Sequence, residues 1–178
     1  RDPNGSYITL QRVANLQEAK AKQGWEFQYM AIDELTKQTE ATFNYLLTCV
    51  RSAQVTNKYT NKPLRIPTKV VCGCNPGGIG HKWVKERFID RTVTKYNEHE
   101  TPIQTKDLVE FVQNPLDKSK IIRRFIRFIP FTSLDNPFLN ESYLANLDSL
   151  SEYQKKMDMY GCWNVVAGKF FDLKPEHL

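Results

Sequence analysis

Two short apolar runs separated by a helical pattern constrain the fold of this chain more than any other feature. The first run covers residues 25–32 and ends at two acids, Asp33 and Glu34. The second, TKVVCGCN, covers residues 68–75. Between them Thr39 is a helix N-cap, and apolar residues follow at the spacing of one helix face, at positions 43, 46, 47 and 50. A strand, a helix and a strand in this order predict a βαβ unit, and hence an α/β protein with a mainly parallel sheet.

The remaining sequence carries weaker signals. Residues 6–13 alternate as a strand does, and the short helix pattern after them is closed by Gly24. Residues 90–119 are polar and loop-rich, which predicts an insertion or lid, and IIRRFIRFI at 121–129 predicts a basic strand. Asn140 and the Ser151-x-x-Gln154 capping box begin two helices, and Gly161 ends the second. We therefore predict three regions: residues 1–90, 91–129 and 130–178.

The charge of the chain permits a polyanionic partner. The formal net charge of the 178 residues is +5 and the isoelectric point is about 9.0. Residues 118–127, KSKIIRRFIR, hold five of the cations. Such a run is either the solvated face of a strand or a contact for nucleic acid, and the sequence leaves both interpretations open.

The cysteines and the apolar segments predict a cytoplasmic protein. Four cysteines, unevenly spaced, are too few for a secreted disulfide scaffold, and no hydrophobic signal segment opens the sequence. The most apolar stretch, IIRRFIRFIPF, is interrupted by three arginines and a proline, so we expect no membrane association.

The two acids at the end of the first run are the first candidate for chemistry. In NTPases of the strand–loop–helix type, an acid at this position holds Mg²⁺ through its water shell, and an adjacent glutamate polarises the attacking water. Asp33 and Glu34 have the residue types and the position that this chemistry needs. The alternative is that one of them caps the next turn.

The glycine-rich stretch at residues 70–89, VVCGCNPGGIGHKWVKERFI, is the second candidate. Gly73 and Gly78 have the spacing of a phosphate-binding loop, but Ile79 and Gly80 follow instead of Lys and Ser or Thr. No G-x-x-x-x-G-K-[ST] motif occurs in the sequence. Three residues, Cys72, Cys74 and His81, have metal-binding side chains without a fourth ligand at a suitable spacing, so we expect no zinc.

What remains of this stretch is a strand, a sharp turn and a helix. The strand ends at Asn75, the turn is Pro-Gly-Gly, and the helix begins near His81. If the two predicted strands are neighbours, Asn75 follows the second strand at the edge where Asp33 and Glu34 follow the first. A polar group there can sense the γ-phosphate of a nucleotide.

Four segments in order resemble the large subunit of tailed-phage terminases, the motors that package double-stranded DNA. CNPGGIGHKWVKERFI at 74–89 resembles a segment highly characteristic of that family, and residues 24–52, which include IDELT, resemble its Walker B region. RFIPFTSLDNPFLNESYLANLDSL at 127–150 and YGCWNVVAGKFF at 160–171 resemble the segment that links the ATPase to the nuclease domain. Helicase-like motors share the acidic pair, but the NPGG-x-GH segment argues against them.

The resemblance implies a partial P-loop NTPase of the catalytic-glutamate type, followed by a small, mostly helical linker. Residues 1–90 would be the C-terminal half of the ATPase domain, 91–129 the insertion or lid with the basic strand, and 130–178 the linker toward a nuclease domain. Since the Walker A loop is missing, we expect an internal fragment of a terminase, inactive alone as an ATPase.

The resemblance also implies roles for individual residues. Asp33 would hold Mg²⁺ through water, and Glu34 would be the catalytic base for ATP hydrolysis. Cys74 and Asn75 fall at the motif that couples hydrolysis to movement, although cysteine departs from the usual residue. Arg51 would sense the nucleotide state or contact a neighbouring subunit, with packing or a surface ion pair as the alternative. The cations that would contact DNA are Lys82, Lys85, Arg87, Arg123, Arg124 and Arg127.

The implied partners follow from the packaging motor. They are double-stranded DNA, the terminase small subunit, the portal protein and further copies of the chain in a motor ring, in the cytoplasm of a bacterial host, with ATP and Mg²⁺ as cofactors. The competing hypothesis is a prophage remnant without catalysis that binds DNA or a protein partner.

Overall fold

The computed structural model describes residues 7–51, 54–57 and 59–165. The chain divides into two compact units, with the boundary between Gly73 and Cys74.

The described residues of the first unit form two α-helices and four strands. They are α1 (Leu16–Lys20), β1 (Tyr29–Ile32), α2 (Glu40–Leu47), β2 (Gln54–Thr56), β3 (Pro63–Arg65) and β4 (Lys69–Cys72). A 3₁₀ turn, Leu35–Lys37, lies between β1 and α2. The strands pair in twos, β1 with β4 and β2 with β3.

The predicted βαβ unit is confirmed. Strands β1 and β4 are parallel, with Tyr29 opposite Lys69 and Ile32 opposite Cys72, and α2 connects to them in the predicted order. Thr39 is the N-cap of α2, and its hydroxyl accepts a hydrogen bond from the Thr42 backbone N–H at 3.2 Å. Strand β1 is shorter than the apolar run at residues 25–32, and the residues of both strands alternate between exposed and half-buried.

The core of the first unit forms around one face of α2. Phe43 and Leu46 are buried there, together with Leu35 from the 3₁₀ turn, Ala19 from α1 and Cys49. The apolar spacing read from the sequence therefore identifies the face that packs inward, because residues three and four apart share a side of a helix.

The second unit begins with a continuous helical segment, residues 81–92. It consists of α3 (His81–Val84), a π-helical turn (Lys85–Ile89) and α4 (Asp90–Thr92). Val84 and Ile89 are each only 1% exposed, although they are five residues apart. Five residues of a regular α-helix rotate a side chain about 140° away from the starting face. The wider π turn brings both side chains into the same core.

Two antiparallel hairpins follow, β5 (Val93–Tyr96) with β6 (Pro102–Thr105), and β7 (Leu108–Gln113) with β8 (Ile121–Ile126). The unit continues with a 3₁₀ turn (Ser133–Asp135) and the helices α5 (Glu141–Asp148) and α6 (Glu152–Asp158). Asn140 and Ser151 cap α5 and α6 as predicted, and Gly161 follows with a positive φ of 61°.

Three fold predictions need correction. The sheet is not mainly parallel: among the described residues, one strand pair is parallel and three are antiparallel. Residues 7–13 form no strand, and Ser6 lies outside the described residues. Residues 90–119 are not loop-rich, because β5, β6 and β7 lie there. Their polar alternation is that of strands exposed on one side, which resembles loop sequence in composition.

The protein is thus a mixed helix and strand chain with small sheets, and the wider parallel core of a P-loop NTPase stays a prediction. None of the helices in the described ranges has the length and apolar character needed to cross a membrane.

Candidate functional site

The ends of the two parallel strands are joined by backbone hydrogen bonds. The N–H of Gly73 donates to the carbonyl of Ile32, and the N–H of Leu35 donates to the carbonyl of Gly73, both at 2.9 Å. Asp33 and Glu34 lie between these two bonds. The acidic pair is therefore held at the carboxyl edge of the sheet, the edge predicted from sequence and the place where open α/β sheets bind ligands.

Glu34 has an unusual backbone conformation. Its φ and ψ are 50° and 52°, in the left-handed region, which costs an ordinary residue about 1–2 kcal/mol. The side chain makes no capping bond, and its carboxylate lies 2.5 Å from the Lys37 ammonium on the exposed surface. This hydrogen bond and the charge of Glu34 raise the pKa of Lys37. Strain of this kind in a non-glycine residue is often found at functional sites.

Asp33 makes a local hydrogen bond to the backbone, whereas the N-cap position of the following 3₁₀ turn is Glu34, which makes no side-chain capping bond. The Asp33 Oδ1 accepts the backbone N–H of Glu34 at 3.0 Å, and the Asp33 side chain is exposed. A Cβ built at Gly73 would lie 3.4 Å from the same oxygen, so the ends of the two strands lie close together.

The donor set at Asp33 fits the metal that the sequence implies. Mg²⁺ prefers oxygen ligands, keeps several of its waters and is often bound through one or two carboxylates together with phosphates. An exposed aspartate at a strand end can hold such a hydrated ion. In the described part of the chain, no three His, Cys, Asp or Glu side chains gather as a protein-only metal site requires.

Cys74 and Asn75, the predicted coupling residues, begin the second unit. Burial raises the pKa of the Cys74 thiol to about 11, so this cysteine is protonated and unreactive near neutral pH. Asn75 is exposed and lines a cavity of about 310 Å³, together with Phe131, Tyr143 and Met157 among others. Their role in coupling stays a prediction.

His81 is a structural residue of the glycine turn that sequence reasoning did not identify. Its Nδ1 accepts the backbone N–H of Gly77 at 2.8 Å, and its ring stacks on Trp163 with centroids 5.5 Å apart. Burial lowers the pKa of His81; nearby Lys85 lowers it further, while a backbone hydrogen bond with Trp163 acts in the opposite direction. The sequence signal that could have suggested the hydrogen bond between Gly77 and His81 is their separation of four residues across the glycine turn.

Arg51 lies away from the acidic pair. Its guanidinium is 3.3 Å from the Glu26 carboxylate and donates to the Trp25 carbonyl at 3.2 Å. Both partners precede β1, whereas Asp33 and Glu34 follow it. The structure therefore forms the surface ion pair that was the alternative for Arg51. Its roles in sensing the nucleotide state or contacting another subunit stay predictions.

The predicted DNA-binding cations lie on two elements of the second unit. On the helical segment, Lys85 pairs with Asp90 at 2.6 Å, Lys82 lies 3.9 Å from Glu86, and Arg87 lies over the Phe88 ring at 5.6 Å. On β8 and just after it, Arg123 and Arg124 are exposed on opposite faces, and Arg127 pairs with Asp107.

No family model matches the chain, and the searches of curated proteins and of solved structures give no match either. The terminase resemblance rests on the quoted motifs.

Proposed function

We propose that this chain belongs to the ATPase of a viral DNA-packaging motor, a terminase large subunit. The observation that carries the proposal is the position of Asp33 and Glu34 at the carboxyl end of β1. This strand is parallel to β4, and the NPGG-x-GH segment follows β4 in the sequence. The motor would act in the cytoplasm of a bacterial host on double-stranded DNA, with a small subunit, a portal protein and further copies of itself.

In this proposal each residue of the pair has its own task. Mg²⁺, when bound with ATP, would neutralise charge on the phosphates. Asp33 would hold the hydrated ion through its exposed carboxylate. Glu34 would accept a hydrogen bond from the attacking water, which requires its carboxylate to exchange Lys37 for that water. The sequence lacks the loop that grips the phosphates, so the proposal needs groups that this chain does not contribute.

A second candidate is a binding module without catalysis. The hairpin of β7 and β8 favours this candidate, because its exposed cations could bind DNA without a bound nucleotide. Binding dominated by phosphate contacts weakens steeply as salt rises. A binding module keeps this salt-dependent DNA binding without ATP, whereas the motor couples it to hydrolysis.

The deciding experiment measures ATP hydrolysis by the natural polypeptide that contains these residues. We expect Mg²⁺-dependent turnover that falls at least a hundredfold in Glu34→Gln, while nucleotide binding is retained. Asp33→Asn should raise the Mg²⁺ concentration needed for turnover. Glu26→Gln is the matched control, because it removes one exposed, ion-paired carboxylate at the other end of β1.

Two outcomes would count against the proposal, and a third would overturn the expectation that the chain is inactive alone. Turnover that survives Glu34→Gln would remove the catalytic role, and an equal loss in Glu26→Gln would make the effect structural. Clear ATPase activity of the 178-residue chain alone, abolished by Glu34→Gln, would show that the phosphate-binding groups lie within it.

A further inference from the structure

One face of the β7–β8 hairpin exposes aromatic rings around a cation. The six residues of this face, here called the ring face, are Val109, Phe111, Gln113, Ile121, Arg123 and Phe125. Phe111 is 67% and Phe125 is 74% exposed. Rings left this far in water lose the stabilisation that burial gives, so an exposed pair on one face indicates a contact surface.

The pairing register places the two rings around Arg123. Phe111 is directly opposite Arg123 in the antiparallel pair, and Phe125 is two residues further along the same strand. Phe111 and Phe125 are therefore diagonal neighbours, with about 7–8 Å between positions of this kind. A guanidinium between two accessible rings can contact a phosphate while flat groups stack on either side.

On the opposite face of the hairpin, the residues of β7 turn toward the rest of the unit. Leu108, Glu110 and Val112 are half-buried on that face, and the Glu110 carboxylate accepts from the Arg91 guanidinium at 2.7 Å. The ring face carries no carboxylate, so its charge is that of Arg123 alone.

The charges of the hairpin favour an anionic partner. The carboxylates in residues 107–127 all form ion pairs: Asp107 with Arg127, Glu110 with Arg91, and Asp117 with Lys120 at 2.9 Å. Lys118, Arg123 and Arg124 have no ion pair within the described residues. This surplus of positive charge argues against a second copy of the chain as the partner of the ring face. Two ring faces packed against each other at Arg123 would bring two guanidinium groups together.

We propose that the ring face binds single-stranded nucleic acid, with Phe111 and Phe125 stacking on unpaired bases and Arg123 contacting the backbone between them. Bases inside a duplex are stacked on one another and do not offer their faces to a protein ring, whereas bases of a single strand do. This site differs from a phosphate-only contact with double-stranded DNA and does not depend on the ATPase function.

The experiment measures fluorescence anisotropy of labelled oligothymidylate and oligouridylate of about 16 nucleotides, the upper end of common single-strand site sizes. A duplex of equal length is the comparison, and each titration is done at about 50 and about 200 mM salt. We expect Phe111→Ala and Phe125→Ala each to weaken single-strand binding by roughly 5- to 100-fold, with little change in duplex binding. Phe111→Tyr and Phe125→Tyr keep a ring and should retain the affinity.

Two matched controls separate stacking from general effects. Phe138→Ala removes a ring that is 92% exposed elsewhere in the unit and should leave binding unchanged. Arg124→Ala removes the same charge as Arg123→Ala from the other face of the same strand. Arg123→Ala should lower the single-strand salt slope by about 0.7, and Arg124→Ala should affect it less.

The proposal is overturned by any of three results. The first is that the protein does not bind the single-stranded probes at the lower salt concentration. The second is that Phe138→Ala and the ring-face variants lose single-strand affinity to the same extent. The third is concentration-dependent self-association that the ring-face alanines abolish, since this would assign the surface to a second copy. A preference between the thymidylate and uridylate probes identifies DNA or RNA as the ligand of the supported site.

Discussion

Gly73 and Asp33 lie side by side at the ends of two parallel strands, so that a methyl group on Gly73 would be 3.4 Å from the Asp33 Oδ1. This distance is an ordinary van der Waals contact. The conformation of Gly73 is also not left-handed, since the positive-φ glycines are Gly24, Gly77, Gly78 and Gly161. The closeness of the two strand ends therefore does not itself require glycine.

We predict that Gly73→Ala stabilises the protein by about 0.4–1 kcal/mol, because alanine reduces the conformational entropy of the unfolded chain. Gly24→Ala is the matched control: nothing lies within 4 Å of its added carbon, but its φ is 89°. It should destabilise the protein through backbone strain. Urea unfolding measures both free energies, and a shift of the same sign in the two variants would contradict this account.

The left-handed backbone at Glu34 predicts a specific order of variants. Asparagine tolerates this conformation, so Glu34→Asn should change the free energy of unfolding little. Glu34→Val should lower it, because a β-branched side chain is more strained in this conformation than the unbranched glutamate. Glu26→Val, at another exposed glutamate without a positive φ, should cost less. Equal losses at the two glutamates in urea unfolding would remove the argument for strain.

The glycine turn should weaken in mild acid. Burial lowers the pKa of His81 in the folded state below its ordinary value of about 6.5, so the unfolded chain takes up its proton first. The stability from neutral His81 is therefore full above about pH 6.5 and is lost as the pH falls through the lower folded pKa. Protonation also removes the Nδ1 lone pair that accepts the Gly77 N–H.

Thermal unfolding of wild type and His81→Asn between about pH 5 and 8 tests this effect. Asparagine offers an oxygen near the position of Nδ1 and does not titrate. We expect the difference in melting temperature between the two proteins to shrink as the pH falls. A constant difference across this range would mean that His81 does not titrate on unfolding.

Cys74 should resist alkylation in the folded protein. With its pKa raised to about 11, roughly one thiol in a thousand is ionised at pH 8, and the thiolate is the reactive form. Iodoacetamide labelling followed by peptide mass spectrometry should modify Cys74 slowly in buffer and at an ordinary rate in urea. Rapid labelling in buffer would show that the thiol is accessible and that burial does not control it.

The sequence was most informative where a local pattern determines a local contact. The spacing of Phe43 and Leu46 identified the buried face of α2, and Thr39, Asn140 and Ser151 identified helix starts, because capping involves only neighbouring residues. The acidic pair was placed at the correct edge since parallel strands end together.

Contacts between distant residues could not be read in the same way. The stacking of His81 on Trp163 joins positions far apart in sequence, and nothing near either residue specifies the other. Strand β7 depends on its pairing with β8, so the sequence of residues 90–119 by itself predicts a loop-rich segment. The nucleotide-sensing role of Arg51 is implied only by the resemblance, whereas its side-chain position follows from its contacts with Trp25 and Glu26, which precede β1.

The π turn at Lys85–Ile89 implies that the helical segment contains one residue more than its packing needs. With that residue deleted, the positions of Val84 and Ile89 would become four apart and would still share a face of a regular helix. A shorter homologous sequence with a gap here would therefore preserve the same core, and an alignment across this helix has to allow the gap.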